Sequence, residues 1–271
     1  ELGQVTDEAC TTFVIGRQGT QSGQILIGQT SDMSAEMPQF AYVLHLTHEQ
    51  HGSEPPRQIM MWTFGGMLGY HGFNSRGVAQ FANSLGGGPA WKFGLPHYPV
   101  KRMMLESGDL NEVLKVLNKH TVCSSGNYVL CDGDGEILDV ELTPDGPEVI
   151  ADNGQGFLAH ANHFLCTAHS CKENFAQSLP DSFPRQNRME ELIREKLGRI
   201  TVADMQEMQH GVGAAERVGE RQRQLRGRTG RGRPIHRQQD VLEADGAGVG
   251  CDEAGDAVGE EQGGQPRPAR Q

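Results

Sequence analysis

The residue best suited to nucleophilic chemistry is Cys10, in the run Glu8-Ala9-Cys10-Thr11-Thr12. Sulfur attacks carbonyl carbon readily and also leaves readily, so cysteine suits amide cleavage and the passing on of acyl groups. If the backbone is cut before Cys10, the new α-amine has a pKa close to neutral pH and lies beside the thiol, so it can serve as the base. By spacing alone this signal is weak, because an isolated cysteine in a strand is most often a small buried hydrophobe.

A second group of reactive side chains lies between positions 160 and 171. Its members are His160, His163, Cys166, His169 and Cys171. Such side chains can hold zinc, but their irregular spacing matches neither a helix-borne pair nor a paired-cysteine knuckle. We therefore predict no metal site and interpret them as loop histidines and buried thiols.

Alternating blocks of predicted strands and helices surround these residues. Runs rich in β-branched and aromatic residues, separated by Gly and Asn turns, predict an antiparallel sheet up to about Phe93 and a second β block further on. The predicted strands cover residues 11–15, 24–28, 40–46, 58–64, 77–84, 127–131, 136–142 and 156–160. Asp132-Gly133-Asp134-Gly135 predicts a tight hairpin in which both glycines supply a positive φ.

Three helices are predicted from capping residues and apolar spacing. Asp109-Leu110-Asn111-Glu112 predicts a capping box at the start of a helix that ends near His120. Pro184 to Leu197 predicts a second helix, and Thr201-Val202-Ala203-Asp204 caps a short third one. Strands, helix, strands and helix in this order indicate an α+β layered domain with its sheets stacked inside.

The composition changes abruptly after about His210. Residues 211–271 contain no Phe, Trp, Tyr, Lys, Ser or Asn, so they cannot bury enough apolar area to offset the entropy of ordering. We predict disorder there and leave two interpretations open, a natural low-complexity tail or GC-rich DNA translated out of frame. The predicted organisation is the end of an upstream segment at residues 1–9, one domain at 10–210 and this tail.

Charge and composition exclude several function classes. The chain has 271 residues and a formal charge of -11, so phosphate backbones and anionic membrane surfaces would repel it. We therefore predict a small-molecule substrate, with neither nucleic acid nor membrane as a partner. The polar start holds no signal core, and no run of ~18 apolar residues occurs. Six cysteines in a chain of this length do not make a disulfide scaffold, which predicts a reducing, cytoplasmic location.

Four segments occur in an order that resembles a known family. They are Ala9-Cys10-Thr11-Thr12, Gly28-Gln29-Thr30-Ser31-Asp32, Gly72-Phe73-Asn74-Ser75-Arg76-Gly77 and His160-Ala161-Asn162-His163-Phe164. From about Thr6 to about Met208 the chain resembles the acyl-coenzyme A:6-aminopenicillanic acid acyltransferase family, peptidase C45-like members of the N-terminal nucleophile hydrolases. The resemblance implies an αββα four-layer sandwich, incomplete at its C-terminus, and self-cleavage between Ala9 and Cys10. It also implies acyl transfer through a thioester and a heterodimer of the two cleavage products.

The resemblance also assigns roles to individual residues. Cys10 matches the nucleophile, Asp32 an acid that orients the α-amine, and Asn162 a side-chain amide donor to the oxyanion. Asn83 resembles the second amide of the site in the related choloylglycine hydrolases. From the residues alone, without the resemblance to the family, we interpret Asp32 as a solvated turn residue and Asn162 as a turn asparagine that bonds its own backbone.

Two features depart from the family's pattern. Ala9 stands where the best understood relatives have glycine before the nucleophile. The family also supplies a basic residue and closing strands from the region beyond position 210, and the arginine-rich tail does not match them.

Three hypotheses about function remain. The leading one is a self-processing cysteine acyltransferase or amidohydrolase that forms a thioester on Cys10 and passes the acyl group to an amine or to water. No cofactor is predicted, and acyl-coenzyme A enters only as a substrate. The second is a linear amide hydrolase of the choloylglycine or penicillin V acylase type. The third is a non-catalytic α+β binding protein that lacks a complete site.

Overall fold

Two antiparallel β-sheets lie at the centre of the fold. The computed structural model describes residues 9–49, 55–86, 89–166, 180–212 and 235–243, the last of these by its backbone alone. The strands are β1 Cys10–Ile15, β2 Leu26–Ser34, β3 Ala41–Thr47, β4 Gln58–Phe64, β5 His71–Asn74, β6 Ala79–Ser84, β7 Gly126–Cys131, β8 Ile137–Thr143, β9 Gly146–Ala151, β10 Phe157–His160 and β11 Ile235–Glu243. The α-helices are α1 His97–Leu105, α2 Leu110–Lys119, α3 Ser182–Lys196 and α4, described over residues 202–212, and short 3-10 helices cover Arg17–Gly19 and Met37–Phe40.

The smaller sheet holds the predicted nucleophile on an inner strand. Its strand order is β10-β1-β2-β11, and the larger sheet has the order β3-β4-β5-β6-β7-β8-β9. Cys10 of β1 lies opposite Ser31 of β2, and Thr12 lies opposite His160 of β10. Cys10 is therefore held by strand pairing at the point where β1 begins.

Three apolar clusters separate four layers. The cluster between the sheets contains Val14, Ile25, Ile27, Ala79, Phe81, Val129, Cys131, Ile137 and Leu158. The larger sheet packs against α1 and α2 through Val78, Ala82, Val100, Met104, Leu110, Val113, Leu117, Tyr128 and Leu130. The smaller sheet packs against α3 and α4 through Phe13, Ile15, Leu26, Phe157, Met189, Ile193, Met205 and Met208. The order of the layers confirms the predicted α+β fold, an αββα four-layer sandwich.

Strand β1 is buried on both faces, and this fixes where the Cys10 side chain points. Val14 packs between the sheets, whereas Phe13 and Ile15 pack against the helices. Successive side chains of a strand point to opposite faces. Cys10 and Thr12 therefore share the face of Val14, towards the larger sheet.

The predicted strands correspond to β1–β4, β6–β8 and β10. The largest difference is at β2, which continues to Ser34, six residues beyond its predicted end at Gly28. The residues of β2 after Gly28 are all paired with β11, and Gln29, Thr30 and Ser31 are also paired with β1. This pairing satisfies their backbone groups, which the hydrophobic pattern alone does not reveal.

Several elements lack a sequence signal strong enough for prediction. Strand β5 is only four residues long and contains a glycine. Strand β9 is a largely exposed edge strand, so it shows no alternating apolar pattern. Helix α1 carries Pro99 near its start, where proline is tolerated because the first amides of a helix have no partner within it.

The predicted hairpin between β7 and β8 forms, but only one of its glycines has the expected conformation. Gly135 has a φ of 106°, whereas Gly133 is not among the glycines with positive φ. Gly133 is needed for space, because a Cβ there would lie 2.8 Å from the carbonyl oxygen of Arg76. The prediction of two positive φ angles was therefore wrong for Gly133.

Capping bonds confirm two of the three predicted helix starts, whereas α3 begins at Ser182, two residues before the predicted Pro184, without a side-chain capping bond. The Asp109 carboxylate accepts a hydrogen bond from the backbone of Glu112 at 2.7 Å, although the Glu112 side chain reaches Gly108 rather than Asp109. At α4 the box is reciprocal: Thr201 Oγ1 accepts from the Asp204 backbone at 3.1 Å, and the Asp204 carboxylate accepts from the Thr201 backbone at 2.9 Å.

One part of the segment predicted to be disordered carries regular structure. Residues 235–243 form β11, which pairs with β2 along its whole length. Residues 213–234 and 244–271 lie outside the described residues. Among the helices that the structure describes, none has the length and apolar character needed to cross a membrane.

The motif Gly72-Phe73-Asn74-Ser75-Arg76-Gly77 has a structural role. The Asn74 side chain is buried, and its Oδ1 accepts from the backbones of Arg76 at 2.9 Å and Val78 at 3.2 Å. Its Nδ2 donates to the carbonyl oxygens of Leu105 at 2.9 Å and Ser107 at 2.7 Å. Asn74 therefore closes the β5–β6 turn and fastens it to the end of α1.

We expect Asn74→Ala to lower the free energy of unfolding by about 2–4 kcal/mol, because it leaves several buried backbone groups without partners. Asn118→Ala is the matched control, since the exposed Asn118 amide donates only to Leu114 of its own helix, and we expect a change within about 0.5 kcal/mol. Urea unfolding followed by circular dichroism measures both. Equal losses in the two variants would contradict this role for Asn74.

Candidate active site

Cys10 lies among polar groups at one end of the space between the sheets. It is 6% exposed, and its Sγ is 3.6 Å from Ser31 Oγ, within hydrogen-bonding distance for sulfur. The next residue on the same face, Thr12, donates its hydroxyl to Asn83 Oδ1 at 2.6 Å. The sulfur is therefore buried without being sealed in an apolar core.

The peptide bond between Ala9 and Cys10 is held at both of its polar atoms. The backbone N–H of Asp32 donates to the Ala9 carbonyl oxygen at 2.8 Å. The N–H of Cys10 donates to Asn162 Oδ1 at 2.9 Å. Two of the predicted site residues, Asp32 and Asn162, thus lie at the predicted cleavage site, on either side of the bond.

The side chain of Asn162 is oriented differently from the prediction. Its Nδ2 donates to the backbone oxygen of Ser84 at 3.0 Å, and its Oδ1 accepts from Cys10 and from Arg185 Nη2 at 2.8 Å. Because two donors meet at Oδ1, the amide can adopt only this orientation. Asn162 therefore presents an acceptor to Cys10, whereas the sequence predicted an N–H donor to an oxyanion.

Asp32 is buried on β2 rather than solvated in a turn. It is 7% exposed. Ser31 contacts the Cys10 sulfur, so the alternation along β2 directs the Asp32 side chain to the opposite face. The backbone of β11 pairs with β2 at this point, with Arg237 opposite Asp32. The structure brings the backbone amide of Asp32 to the predicted cleavage site.

Asn83 joins the two sheets. Its Oδ1 accepts from Thr12 Oγ1 and from Gln29 Nε2, the latter at 3.0 Å. Its Nδ2 donates to the backbone oxygens of His160 and Ala161, both at 2.9 Å. These bonds engage both ends of the Asn83 amide. Asn83 of β6 thus binds β1 at Thr12, two residues after the nucleophile, and also links β6 to β2 and to the end of β10.

Arg185 is a site residue that the sequence analysis missed. This side chain on α3 is 0% exposed. Its Nη1 donates to the backbone oxygen of Cys10 at 2.5 Å and to Thr11 Oγ1 at 2.9 Å, and its Nε donates to Asp181 at 3.1 Å. The only signal in the sequence was the spacing of four residues between Asp181 and Arg185, which suits an ion pair on a helix.

A second buried polar cluster lies behind Asn83. His160 Nε2 is 3.0 Å from Glu141 Oε1 and 3.9 Å from Asp139 Oδ2, and all three side chains are buried. Burial alone would lower the pKa of His160, but the carboxylates of Asp139 and Glu141 raise it above its ordinary value. Burial raises the pKa of Asp139 to about 6, against the opposing effect of His160.

Glu141 in this cluster stays ionised more readily than a buried carboxyl normally does. Burial acts to raise its pKa, but its bonds to His160 and to the backbones of Leu165 and Cys166 lower the pKa below its usual value. A charged His160 between two carboxylates is therefore a stabilised buried group.

The histidines and cysteines between positions 160 and 171 are the residues for which we weighed a metal site in the sequence analysis. Among the described residues, no three His, Cys, Asp or Glu side chains gather as metal ligands. His169 and Cys171, two of the five candidates, lie outside the described residues.

Solved structures with this fold include a conjugated bile acid hydrolase and a penicillin acylase. The chain is similar to a mutant of conjugated bile acid hydrolase from Clostridium perfringens, with a TM-score of 0.53, 12% identity, and coverage of 74% of this chain and 78% of that one. It is also similar to a thermostable penicillin G acylase from Alcaligenes faecalis, with a TM-score of 0.53, 11% identity, and coverage of 74% and 52%. At these identities the likeness shows the fold alone, that of the N-terminal nucleophile hydrolases.

A sequence relative is nearer. The 40 kDa form of acyl-coenzyme A:6-aminopenicillanic-acid-acyltransferase from Emericella nidulans is 31% identical over 137 residues, which cover 50% of this chain and 38% of that protein. The model of the acyl-coenzyme A:6-aminopenicillanic acid acyl-transferase family matches residues 19–219, a stretch that includes Asp32, Asn162 and Arg185 and begins after Cys10. This match over most of the chain shows that it belongs to the acyl-coenzyme A:6-aminopenicillanic acid acyl-transferase family.

Proposed function

We propose that this chain is a cysteine acyltransferase or amidohydrolase that exposes its own nucleophile by cutting the bond between Ala9 and Cys10. Family membership supports acyl transfer or amide hydrolysis in general. The observation that carries the finer proposal is the hydrogen bonding of the Ala9–Cys10 peptide bond, whose oxygen is held by Asp32 at 2.8 Å and whose N–H is held by Asn162 at 2.9 Å.

Self-cleavage begins with attack of the Cys10 thiol on the Ala9 carbonyl carbon. An S–C bond forms, the C–N bond breaks, and the thiol proton passes to the departing nitrogen. Water then releases Ala9 from the thioester as a carboxylate. The product carries a free thiol and a free α-amine on Cys10, which are a nucleophile and its base.

The Asp32 backbone N–H is the oxyanion donor in this proposal. As Cys10 attacks, negative charge develops on the Ala9 oxygen, and a backbone N–H already bonded to that oxygen stabilises the charge. Once Ala9 has left, the same N–H is available to the carbonyl oxygen of a substrate. Self-cleavage and turnover then use one donor in one position.

In this proposal Asn162 holds the nitrogen atom of Cys10 both before and after the cut. Its Oδ1 accepts from the amide N–H of Cys10 before the cut, and an amine offers the same kind of donor after it. The Asp32 carboxylate keeps, as a proposal, its predicted role of orienting the new α-amine by hydrogen bonding. Asn83 keeps the sheets in register and does not touch the reacting atoms.

In turnover the α-amine takes the thiol proton and Cys10 Sγ attacks the acyl carbonyl of the donor. The leaving group, a thiol or an amine, takes that proton back, and an acyl-thioester remains on Cys10. An amine or water then attacks the thioester and frees the enzyme. Family membership supports an acyl-coenzyme A donor and 6-aminopenicillanic acid as the first acceptor to test.

A reducing location suits this chemistry, because the thiol must stay free between turnovers. Within the described residues, no disulfide joins the cysteines, which are Cys10, Cys123, Cys131 and Cys166. We propose a cytoplasmic location on this ground and on the cysteine content.

We expect the purified wild-type chain to lose the residues before Cys10, and Cys10→Ala to stay whole because it has no nucleophile. Cys10→Ser is expected to be cut at least ~10-fold more slowly, since a hydroxyl is a weaker nucleophile than a thiol. Intact-mass spectrometry over a time course measures the cut.

Cys123→Ala is the matched control, because its partly exposed thiol contacts Ser124 rather than the site. It should be cut at the wild-type rate. A Cys10→Ala chain cut at the same bond would contradict the mechanism, and an intact wild-type chain with an unreactive thiol would support a non-catalytic binding protein instead.

We expect the cut enzyme to release coenzyme A from an acyl-coenzyme A on the order of 10³-fold faster than Cys10→Ala does, because the nucleophile carries the reaction. A mass increase equal to the acyl group, found on the Cys10 fragment after a brief incubation, would identify the thioester. Faster release on addition of 6-aminopenicillanic acid would identify a transferase, and an unchanged rate would identify a hydrolase. Release without any acyl group on Cys10 would contradict the proposal.

A further inference from the structure

We propose that Arg185 is a positioning residue for the nucleophile: its guanidinium fixes the Cys10 backbone and the Asn162 amide, and its charge favours the reactive forms of the Cys10 thiol and amine. The inference rests on the proposed function, in which Cys10 becomes a chain end. Arg185 lies on α3, far from Cys10 in the sequence, and we assign it neither the role of nucleophile nor that of oxyanion donor.

The contacts of Arg185 converge on one residue. Nη1 donates to the Cys10 backbone oxygen at 2.5 Å, and Nη2 donates at 2.8 Å to Asn162 Oδ1, which also accepts from Cys10 N at 2.9 Å. The guanidinium thus holds the carbonyl of Cys10 directly and its nitrogen through Asn162. Arg185 therefore acts on the nucleophile by way of its backbone and of Asn162.

Only an arginine has donors in the geometry that these acceptors require. The guanidinium is a rigid planar fork, whereas the ammonium of lysine is a point charge on a flexible stem. Nε is bonded to Asp181 at 3.1 Å, which fixes the plane of the fork and leaves both terminal nitrogens directed at the site. The same bonds explain why Oδ1 of Asn162, and not Nδ2, points at Cys10.

Fixing Cys10 matters more after the cut than before it. The first residue of a strand frays when nothing precedes it in the chain. The Arg185 bonds to Cys10 O and to Thr11 Oγ1, at 2.5 and 2.9 Å, pin the new chain end in the position it had before cleavage. Because a misplacement of 1 Å can cost ~10²-fold in rate, this anchoring supports turnover.

The charge of Arg185 acts on both titrating groups of Cys10 in the same direction. A positive charge nearby disfavours the ammonium and favours the thiolate, so it lowers the pKa of the α-amine and of the thiol alike. Burial strengthens the effect because little water screens it. The carboxylate of Asp181, bonded to Arg185 Nε at 3.1 Å, opposes this effect.

Other charged or titratable groups also border this end of β1. They are Asp32 on β2, Asp181 on α3, and His160 and His163 at the end of β10, with His163 Nδ1 bonded to Ser182 Oγ at 2.8 Å. Arg185 binds both the backbone of Cys10 and the side chain of Asn162. Its removal is therefore the substitution that tests the inference.

The test compares Arg185→Gln and Arg185→Lys with the wild type in the full chain. Arg188→Gln is the control, because Arg188 lies on the same helix with an exposed side chain paired to Glu191. Two quantities are measured: the rate of cleavage before Cys10 by intact mass, and the pH at which alkylation of Cys10 by iodoacetamide is half-maximal. The second needs neither a substrate nor prior cleavage.

We expect Arg185→Gln to be cut at least ~10-fold more slowly, and its alkylation midpoint to move to higher pH by about one unit. Arg185→Lys keeps the charge but loses the fork, so its midpoint stays near that of the wild type while its cleavage is slowed. Arg188→Gln is expected to match the wild type in both. This separation of charge from geometry is a result that a merely structural role would not give.

Wild-type cleavage and an unshifted midpoint in a folded Arg185→Gln chain would overturn the inference while leaving the proposed function intact. If the wild-type chain is not cut before Cys10, the proposed function is refuted. The pH midpoints of Cys10 alkylation in the wild type and in Arg185→Gln then still test the effect of the Arg185 charge. Should Arg185→Gln fail to fold because it leaves Asp181 unpaired, Asp181→Asn/Arg185→Gln takes its place. If that double variant also fails to fold, Arg185→Lys provides the test. Cleavage of Arg185→Lys at the wild-type rate would then overturn the inference.

Discussion

The register of β1 against β2 is the constraint on which the candidate site depends. It puts Cys10 opposite Ser31 and brings the Ala9 oxygen to the N–H of Asp32. A slip of one residue would turn every side chain of β1 to the opposite face and remove the sulfur from the site. The slip is prevented because Phe13 and Val14 are buried on opposite faces, where each contributes ~1.5–3 kcal/mol by burial.

The candidate site also requires polar side chains at one end of the space between the two sheets. Removing these polar groups from water costs free energy. Thr12, Gln29 and Asn83 lie where the two sheets meet, at a place that apolar side chains could also fill. They are tolerated because each is bonded to the others or to backbone groups. A buried polar network of this kind holds one geometry, since any rearrangement leaves a donor or an acceptor without a partner.

The sequence predicted those parts of the fold and site that depend on neighbouring residues. Alternation and turn residues located most of the strands, and the caps at Asp109 and Thr201 located helix starts, because these signals act within a few positions. The contacts of Arg185 with Cys10 span almost the whole domain, so no local pattern reveals them. The orientation of the Asn162 amide beside the intact peptide bond is not visible in the sequence for the same reason, because Arg185 and Cys10 together determine it.

Burial of Ala9 links the proposed self-cleavage to the proposed catalysis. Ala9 is only 6% exposed, and its carbonyl oxygen accepts the hydrogen bond of the Asp32 N–H at 2.8 Å. While Ala9 stays bound there, a substrate carbonyl cannot take the same position. The cut therefore does more than create a base: it also vacates the acceptor position. In the proposed mechanism the enzyme is inactive until it is processed, because the peptide bond that is cut first occupies the position assigned to the carbonyl of later substrates.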